Sequence, residues 1–500
     1  MSYKGSKVSK KFNPLEHLEK LINPIGLSIS NCGGEINIIG EDPLFPSTVR
    51  LATAFSLSAM AAAVGAAAIW RERTGEGQDL SIDIRQAAHG INPDLTFHPT
   101  INGNPYPNWM GQTHPFGVFP YKTKDGRWIY TSAVYPHQQS DWLNFFNCGP
   151  DHKKIAASVA KWNAQELEDT ANSQGLTACI ARTPEEWLNH PQGQYLSNEP
   201  VIAIRKIGDS APEAFKPSER PLGNINVLQA THAVAGPVVG RTLAEQGAQV
   251  LQFNHFDDFE HNWVYDDANV GHRSTHLNLK NQKDNDRVKK LVQNADIFVD
   301  SYRSRKIAEF GFSPEDLAKI RPGIIVVSVR CYGYGGPWSD RGGFDMLGTA
   351  ASGLAMLEGE NGMPAMPPTG LINDYVTGYM GAAGATAALL KRAKEGGSYH
   401  VTVSLTRNAM WYQSLGLIPK KDIEFAVNPF QKIYELSSHE LMKAASSLGE
   451  RLSVAKAIIQ DTPLGELRRL APAVTYSATP AYWNDPILRP MGSAKPEWIL

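Results

Sequence analysis

The sequence predicts an α/β protein: a doubly wound, mainly parallel sheet, a smaller α+β domain and a partial internal duplication. Three observations predict it. Short β-rich runs alternate with helical spacing between Arg220 and Val329. The stretch from Ile91 to Pro221 is instead rich in Pro, Trp and Asn. Finally, the layout of Tyr379–Met410 (YMGAAGATAALLKRAKEGGSYHVTVSLTRNAM) echoes that of Ala59–His89 (AMAAAVGAAAIWRERTGEGQDLSIDIRQAAH). Setting Ser404 on Asp83 (404 − 83, an offset of 321) superposes Arg392 on Arg71 and Gly396 on Gly75. It also sets Asp374 on Thr53, so a carboxylate stands in one copy alone.

Residues 1–44 form an N-terminal extension whose basic cluster, Lys4 to Lys11, reads as a solvated tail, since no apolar signal core follows it. Residues 45–90 carry the apolar helix and strand of a truncated first copy. Ala54 to Trp70 is almost uncharged, yet it is Ala-rich and short of the ~20 apolar residues a membrane span needs, so a buried helix is expected. Residues 91–220 are the small α+β domain, with a hairpin over Tyr121–Tyr130 turning at Asp125-Gly126. Helical stretches are expected there near Ile155–Asn172 and Pro184–Leu188.

Residues 221–415 form the Rossmann-like domain. Ile225–Ala230 is its first strand, Ala233-Val-Ala-Gly-Pro237 a loop, and a helix runs through Gln246 to Gly247. Ala248–Phe253, Ile297–Asp300 and Gly323–Val329 are further strands, with helices at Arg287–Gln293 and Pro314–Ile320 between them. A parallel sheet of this kind binds ligands at the carboxyl ends of its strands. Residues 416–500 form a helical tail whose Pro-rich end, from Ala471, wraps over another domain.

With 42% hydrophobic residues, 20% charged and a net charge of −2, nothing points to a nucleic-acid partner or an electrostatic membrane binder. Cys32, Cys148, Cys179 and Cys331 lack metal-like spacing and are too few to staple 500 residues, which suits reduced thiols in the cytoplasm.

Thr231–Gly240 (THAVAGPVVG) contains neither GxGxxG nor GxxxxGK[ST], so dinucleotide and P-loop chemistry is not indicated. Gly236-Pro237 fits either an ordinary turn or a helix start whose N–H groups hold an anion. Asp374 is either a helix cap or a catalytic carboxylate; spacing leaves both open. The 14 histidines include no HExxH pair, and Gly-x-Ser-x-Gly is absent, which disfavours a metal site and a serine hydrolase. His114 and His137 stand alone. Arg273, Lys280, Arg303 and Arg305 lie near strand ends and are candidates for a phosphate site.

Several of these segments, taken in order, resemble the class III CoA-transferase (CaiB/BaiF) family. They are Pro221-Leu-Gly-Asn-Ile-Asn-Val-Leu228, Thr231–Pro237, Leu243–Val250, Asn278-Leu-Lys280, Asp300-Ser-Tyr-Arg303, Phe310-Gly-Phe312 and Tyr332-Gly-Tyr-Gly-Gly-Pro337. The segment Gly370–Gly378 then falls at the family's catalytic aspartate. The order is unusual. Residues 45–220 are similar to the later part of a member, with Thr183–Gln192 (TPEEWLNHPQ) like a small-domain ending, and only then does the opening strand follow. Two fused copies, each missing a part, account for this.

The resemblance implies transfer of CoA from an acyl-CoA donor to a carboxylic acid, through an aspartyl-CoA thioester on Asp374. It also implies CoA contacts from His232, Ala235, Lys280, Tyr302, Arg303, Arg330 and Tyr332, with Asp345 an acidic position near the thioester end. His255 stands where Arg or Lys is common near the phosphates, and Glu309 where Arg is frequent. CoA enters as substrate with no tightly bound cofactor, and members form interlocked homodimers. The family's racemases are an alternative, but they need a His in a Gly-His-Asp-Ile-Asn-Tyr-like segment, which here reads Gly343-Phe344-Asp345-Met346. A non-catalytic acyl-CoA-binding paralogue is another.

Overall fold

The computed structural model describes residues 12–105, 115–303 and 306–499. Lys4 to Lys11, His114 and Arg305 lie outside them.

Two long helices pack against each other at the centre. Leu51–Thr74 is buried along nearly its whole length. It is, among the described residues, the one helix long and apolar enough to cross a membrane, and its apolar window is wholly inside the protein. Asn373–Glu395 is its neighbour. Small side chains permit the contact: a Cβ on Gly65 would fall 2.0 Å from Thr386 Oγ1.

A seven-stranded sheet lies against the second helix. Its order is His272–His276, Gln249–Asn254, Asn226–Ala230, Ile297–Asp300, Ile325–Arg330, Ser398–Ser404 and Ala203–Gly208. The first six strands run parallel and the last antiparallel. Ile297–Asp300 and Ile325–Arg330 are buried at every position, which is why they read as mainly apolar runs without alternation. Strand order reverses between Asn226–Ala230 and Ile297–Asp300, opening a crevice at their carboxyl ends.

Pro120–Lys122, Trp128–Ser132 and Thr177–Ile180 form an antiparallel sheet. The expected turn is present, with Gly126 at φ +81°. Trp142, Phe146, Ile155 and Leu167 fill a separate core beneath this sheet. Three expectations need correction. The helix expected over Ile155–Asn172 is two helices, His152–Val159 and Ala164–Ser173. Ala203–Gly208, placed with the small domain, is an edge strand of the main sheet. Residues 12–44 are integrated rather than appended: Gly33–Ile39 pairs in parallel with Gln78–Asp83.

The expected helical tail over 416–500 instead carries the antiparallel strands Ala457–Thr462 and Gly465–Leu470 after the helix Ser438–Ser447, but its C-terminal end does wrap. Gly271 N donates to Ile487 O (2.7 Å) and Ala494 N to Ser274 O (2.8 Å), covering the outer strand. All four cysteines are unpaired.

Candidate active site

Asp374 lies in the first turn of Asn373–Glu395, but it does not cap that helix. The cap comes from elsewhere. Asp345 Oδ2 accepts the N–H groups of Ile372 (3.0 Å) and Asp374 (3.0 Å), and Asn373 Nδ2 donates to Asp345 Oδ1 (3.1 Å). Asp345 is therefore free to meet the helix's positive end while the Asp374 carboxylate is not consumed by it. Asp374 is partly exposed, and its open face lines a cavity of about 400 Å³. Burial, and then the nearby charge of Asp345, lift its proton affinity well above the usual carboxylate range. Burial also raises Asp345, to about 6.

The opposite wall is the turn after Asn226–Ala230, where His232, Ala233, Ala235 and Gly236 face the cavity. Gly236 allows a close approach, since a Cβ there would meet Ser301 Oγ at 2.6 Å. No side chain caps the helix Ala235–Ala244 that begins here, so its first N–H groups can take an anion. His232 is held neutral, burial lowering it to about 4. Ala233 is left-handed at φ +58°, a conformation costing a non-glycine residue about 1 kcal/mol.

Cations and aromatics complete the lining. Arg303 reaches across to Gly175 O (2.7 Å), and Arg341 pairs with Asp169 (2.8 Å) over the Trp338 ring. Arg330 is buried and paired with Asp300. Tyr135, His137 and Thr177 come from the small-sheet side. Tyr302 and Phe344 also line the space.

Of the residues singled out in the sequence, the structure brings Asp374, His232, Ala235, Tyr302, Arg303 and Arg330 to one cavity. Six others do not line it. Tyr332 is fully buried, its carbonyl accepting Gln192 Nε2 (2.6 Å). Asp345 is buried beneath the helix start rather than placed to touch a ligand. Lys280 is exposed, and His255 sits in the loop beyond strand Gln249–Asn254. Arg273 is engaged by the tail carbonyl of Glu497 (2.7 Å). Glu309 pairs with Lys306 (2.7 Å) on the surface. Sequence reasoning missed Tyr135, Arg341 and Cys331, which no motif marks. Among the described residues, no group of three or more His, Cys, Asp or Glu is placed to hold a metal.

The family model for CoA-transferase family III matches residues 25–207 and 222–428, most of the chain, and the protein belongs to that family. The acetyl-coenzyme A transferase nodX of Hypoxylon pulicicidum is 31% identical over 315 residues, covering 58% of this chain and 53% of the relative. The succinyl-CoA:glutarate CoA-transferase of Mus musculus is 30% identical over 214 residues, covering 40% of this chain and 49% of that one. The chain thus spans about half the length of these curated relatives. A CAIB/BAIF family protein from Brucella suis superposes with a TM-score of 0.36 at 24% identity, over 38% of this chain and 55% of that one.

Proposed function

We propose that the protein transfers CoA from an acyl-CoA to a carboxylic acid, with Asp374 as nucleophile. The observation that carries this reading is a carboxylate at a helix start, spared from capping and opening on a cavity at the sheet's switch point. The Asp374 oxygen attacks the thioester carbon and expels CoA thiolate, leaving a mixed anhydride. The thiolate attacks the aspartyl carbonyl, releasing the donor acid and forming aspartyl-CoA. An acceptor carboxylate reverses both steps. Each exchange trades one carboxylate for another, so little driving force is needed, while water must be kept out. Arg303, Tyr302, His232 and the Ala235 turn are assigned to the CoA body, with Arg330, held by Asp300, in the wall beside them. Asp345 and Tyr332 are reassigned from ligand contacts to support of the site. Lys280 and His255 are left to the outer, nucleotide end.

Phe344 lines the cavity where a racemase needs a proton-exchanging His, which favours transfer. The sheet order supports a Rossmann-like domain over 221–415 that also takes in the edge strand Ala203–Gly208, so the small domain ends before that strand. The two-copy reading also gains support. Under the offset of 321, Gly65 and Thr386 are counterparts, and they touch, as equivalent positions do at a two-fold axis. Asp83 and Ser404, the aligned pair, both cap the helix that follows their strand. We place the enzyme in the cytoplasm as a homodimer, to be checked by light scattering.

The test is intact-mass measurement after incubation with a panel of acyl-CoAs. A CoA-sized adduct mapped to Asp374, absent in Asp374→Asn, is the expected result. Turnover without any adduct would sink the covalent route.

A further inference from the structure

The loop from His255 to His261 does more than follow a strand. Among the described residues, the non-glycine positions with positive φ are His98, Asn102, Asn147, Asn224, Ala233 and Asn361. Asn and His tolerate that region; an alanine does so only when held. Ala233 is held. Its N–H donates to Glu260 Oε2 at 2.7 Å. Tyr135 Oη lies 3.3 Å from that same oxygen and 3.1 Å from His232 Nδ1. Glu260 Oε1 accepts the His261 N–H (3.0 Å), and His261 Nε2 lies 2.8 Å from Val134 O. Two consecutive loop residues therefore grip two consecutive residues of the small-sheet unit. One of them also grips the turn that lines the cavity.

We propose that Glu260 and Tyr135 are a positioning pair: docking of the small-sheet unit holds Ala233 left-handed and so pre-shapes the turn that receives the acyl-CoA. This rests on the CoA reading of the cavity. Neither residue belongs to a motif, and they lie 125 positions apart. The pair acts through His232 and Ala233, which face the ligand space, and Glu260 itself does not line it. A preformed turn spares the ligand the work of ordering it, so the benefit falls on binding.

The experiment compares wild type with Glu260→Ala, Glu260→Gln, Tyr135→Phe and the double variant Glu260→Ala/Ala233→Gly. Glu260→Ala is expected to raise KM for acyl-CoA about tenfold with kcat little changed, the size of one lost buried hydrogen bond. Tyr135→Phe raises it less. Glu260→Gln keeps an acceptor for the Ala233 N–H and stays near wild type. Ala233→Gly should restore the KM of Glu260→Ala, because glycine adopts positive φ without a Cβ penalty. Failure of that rescue, or a wild-type KM in Glu260→Ala, overturns the proposal. Hydrogen exchange of a peptide spanning the turn, measured without ligand, separates the two claims. Faster exchange in Glu260→Ala supports the pair even if no acyl-CoA binds. Unchanged exchange overturns it even where CoA transfer is demonstrated.

Discussion

The two central helices begin alike and face different surroundings. Thr53 N donates to Asp42 Oδ2 at 2.8 Å, as Asp374 N does to Asp345 Oδ2 at 3.0 Å, so each start is capped by an aspartate from outside the helix. Each ends at a glycine of positive φ after a last-turn arginine: Gly75 N donates to Arg71 O (2.8 Å) and Gly396 N to Arg392 O (3.0 Å). The differences follow from what lies opposite. Gly378, Gly381 and Gly384 stand where the first helix has Leu57, Met60 and Ala63. A Cβ on those glycines would fall 2.4, 2.7 and 2.4 Å from Val238, Val239 and Val401. The second helix is pressed against the helix Ala235–Ala244 and the strand Ser398–Ser404 and is stripped of side chains there, whereas the first keeps larger side chains at the matching positions. Thr53 is 3% exposed, whereas Asp374 opens on the cavity. The proposed chemistry lies where the capped helix start also borders a space.

That contrast can be broken most severely at Asp374. Asp374→Asn keeps the size and the backbone N–H but removes the proposed nucleophile, and turnover should fall on the order of 10⁴-fold or more with CoA binding retained. Steady-state rates beside a binding isotherm check this. The reciprocal change is next in size. Thr53→Asp puts a carboxylate at the equivalent position but in a packed interior beside Asp42. It should create no second site and destabilise the fold by about 3 kcal/mol. Chemical denaturation reads the loss, and an adduct at residue 53 would refute the comparison.

Smaller still is the cost of disturbing the contact between the helices. Gly65→Ala must displace Thr386 Oγ1, a branched side chain inside a close-packed seam. A loss of about 2 kcal/mol is expected, typical of overpacking. Gly65→Ala with Thr386→Ala should recover part of it, and additivity between the two would show that the helices do not meet there.

What could be read from the sequence was whatever had a local pattern. The buried strands Ile297–Asp300 and Ile325–Arg330 announce themselves because both faces need apolar side chains. His272–His276 (HRSTH) gave no such signal, because the tail from Ile487 to Ala494 covers that edge with backbone contacts. Asp374 was legible as an acid at a helix start. Its release from capping was not, because the residue that replaces it lies 29 positions upstream. Tyr135 and Glu260 were invisible for the same reason: their meaning is a juxtaposition, and no local spacing encodes it.

The finest test concerns the charge beneath the second helix. In the proposed route Asp374 must be ionised to attack, and both burial and the Asp345 charge favour its protonated form. For the free enzyme, kcat/KM should therefore rise with pH along an acid limb lying above the range of an ordinary aspartate. Asp345→Asn removes the negative neighbour yet leaves an oxygen to accept the N–H groups of Ile372 and Asp374. Taking away a like charge lowers the proton affinity of Asp374, so the limb should move to lower pH. It should not reach the ordinary range, because burial remains. In the first helix the corresponding change, Asp42→Asn, faces no carboxylate at Thr53 and should leave the limb where it was. A limb that fails to move, or moves upward, in Asp345→Asn would mean that some group other than Asp374 governs it.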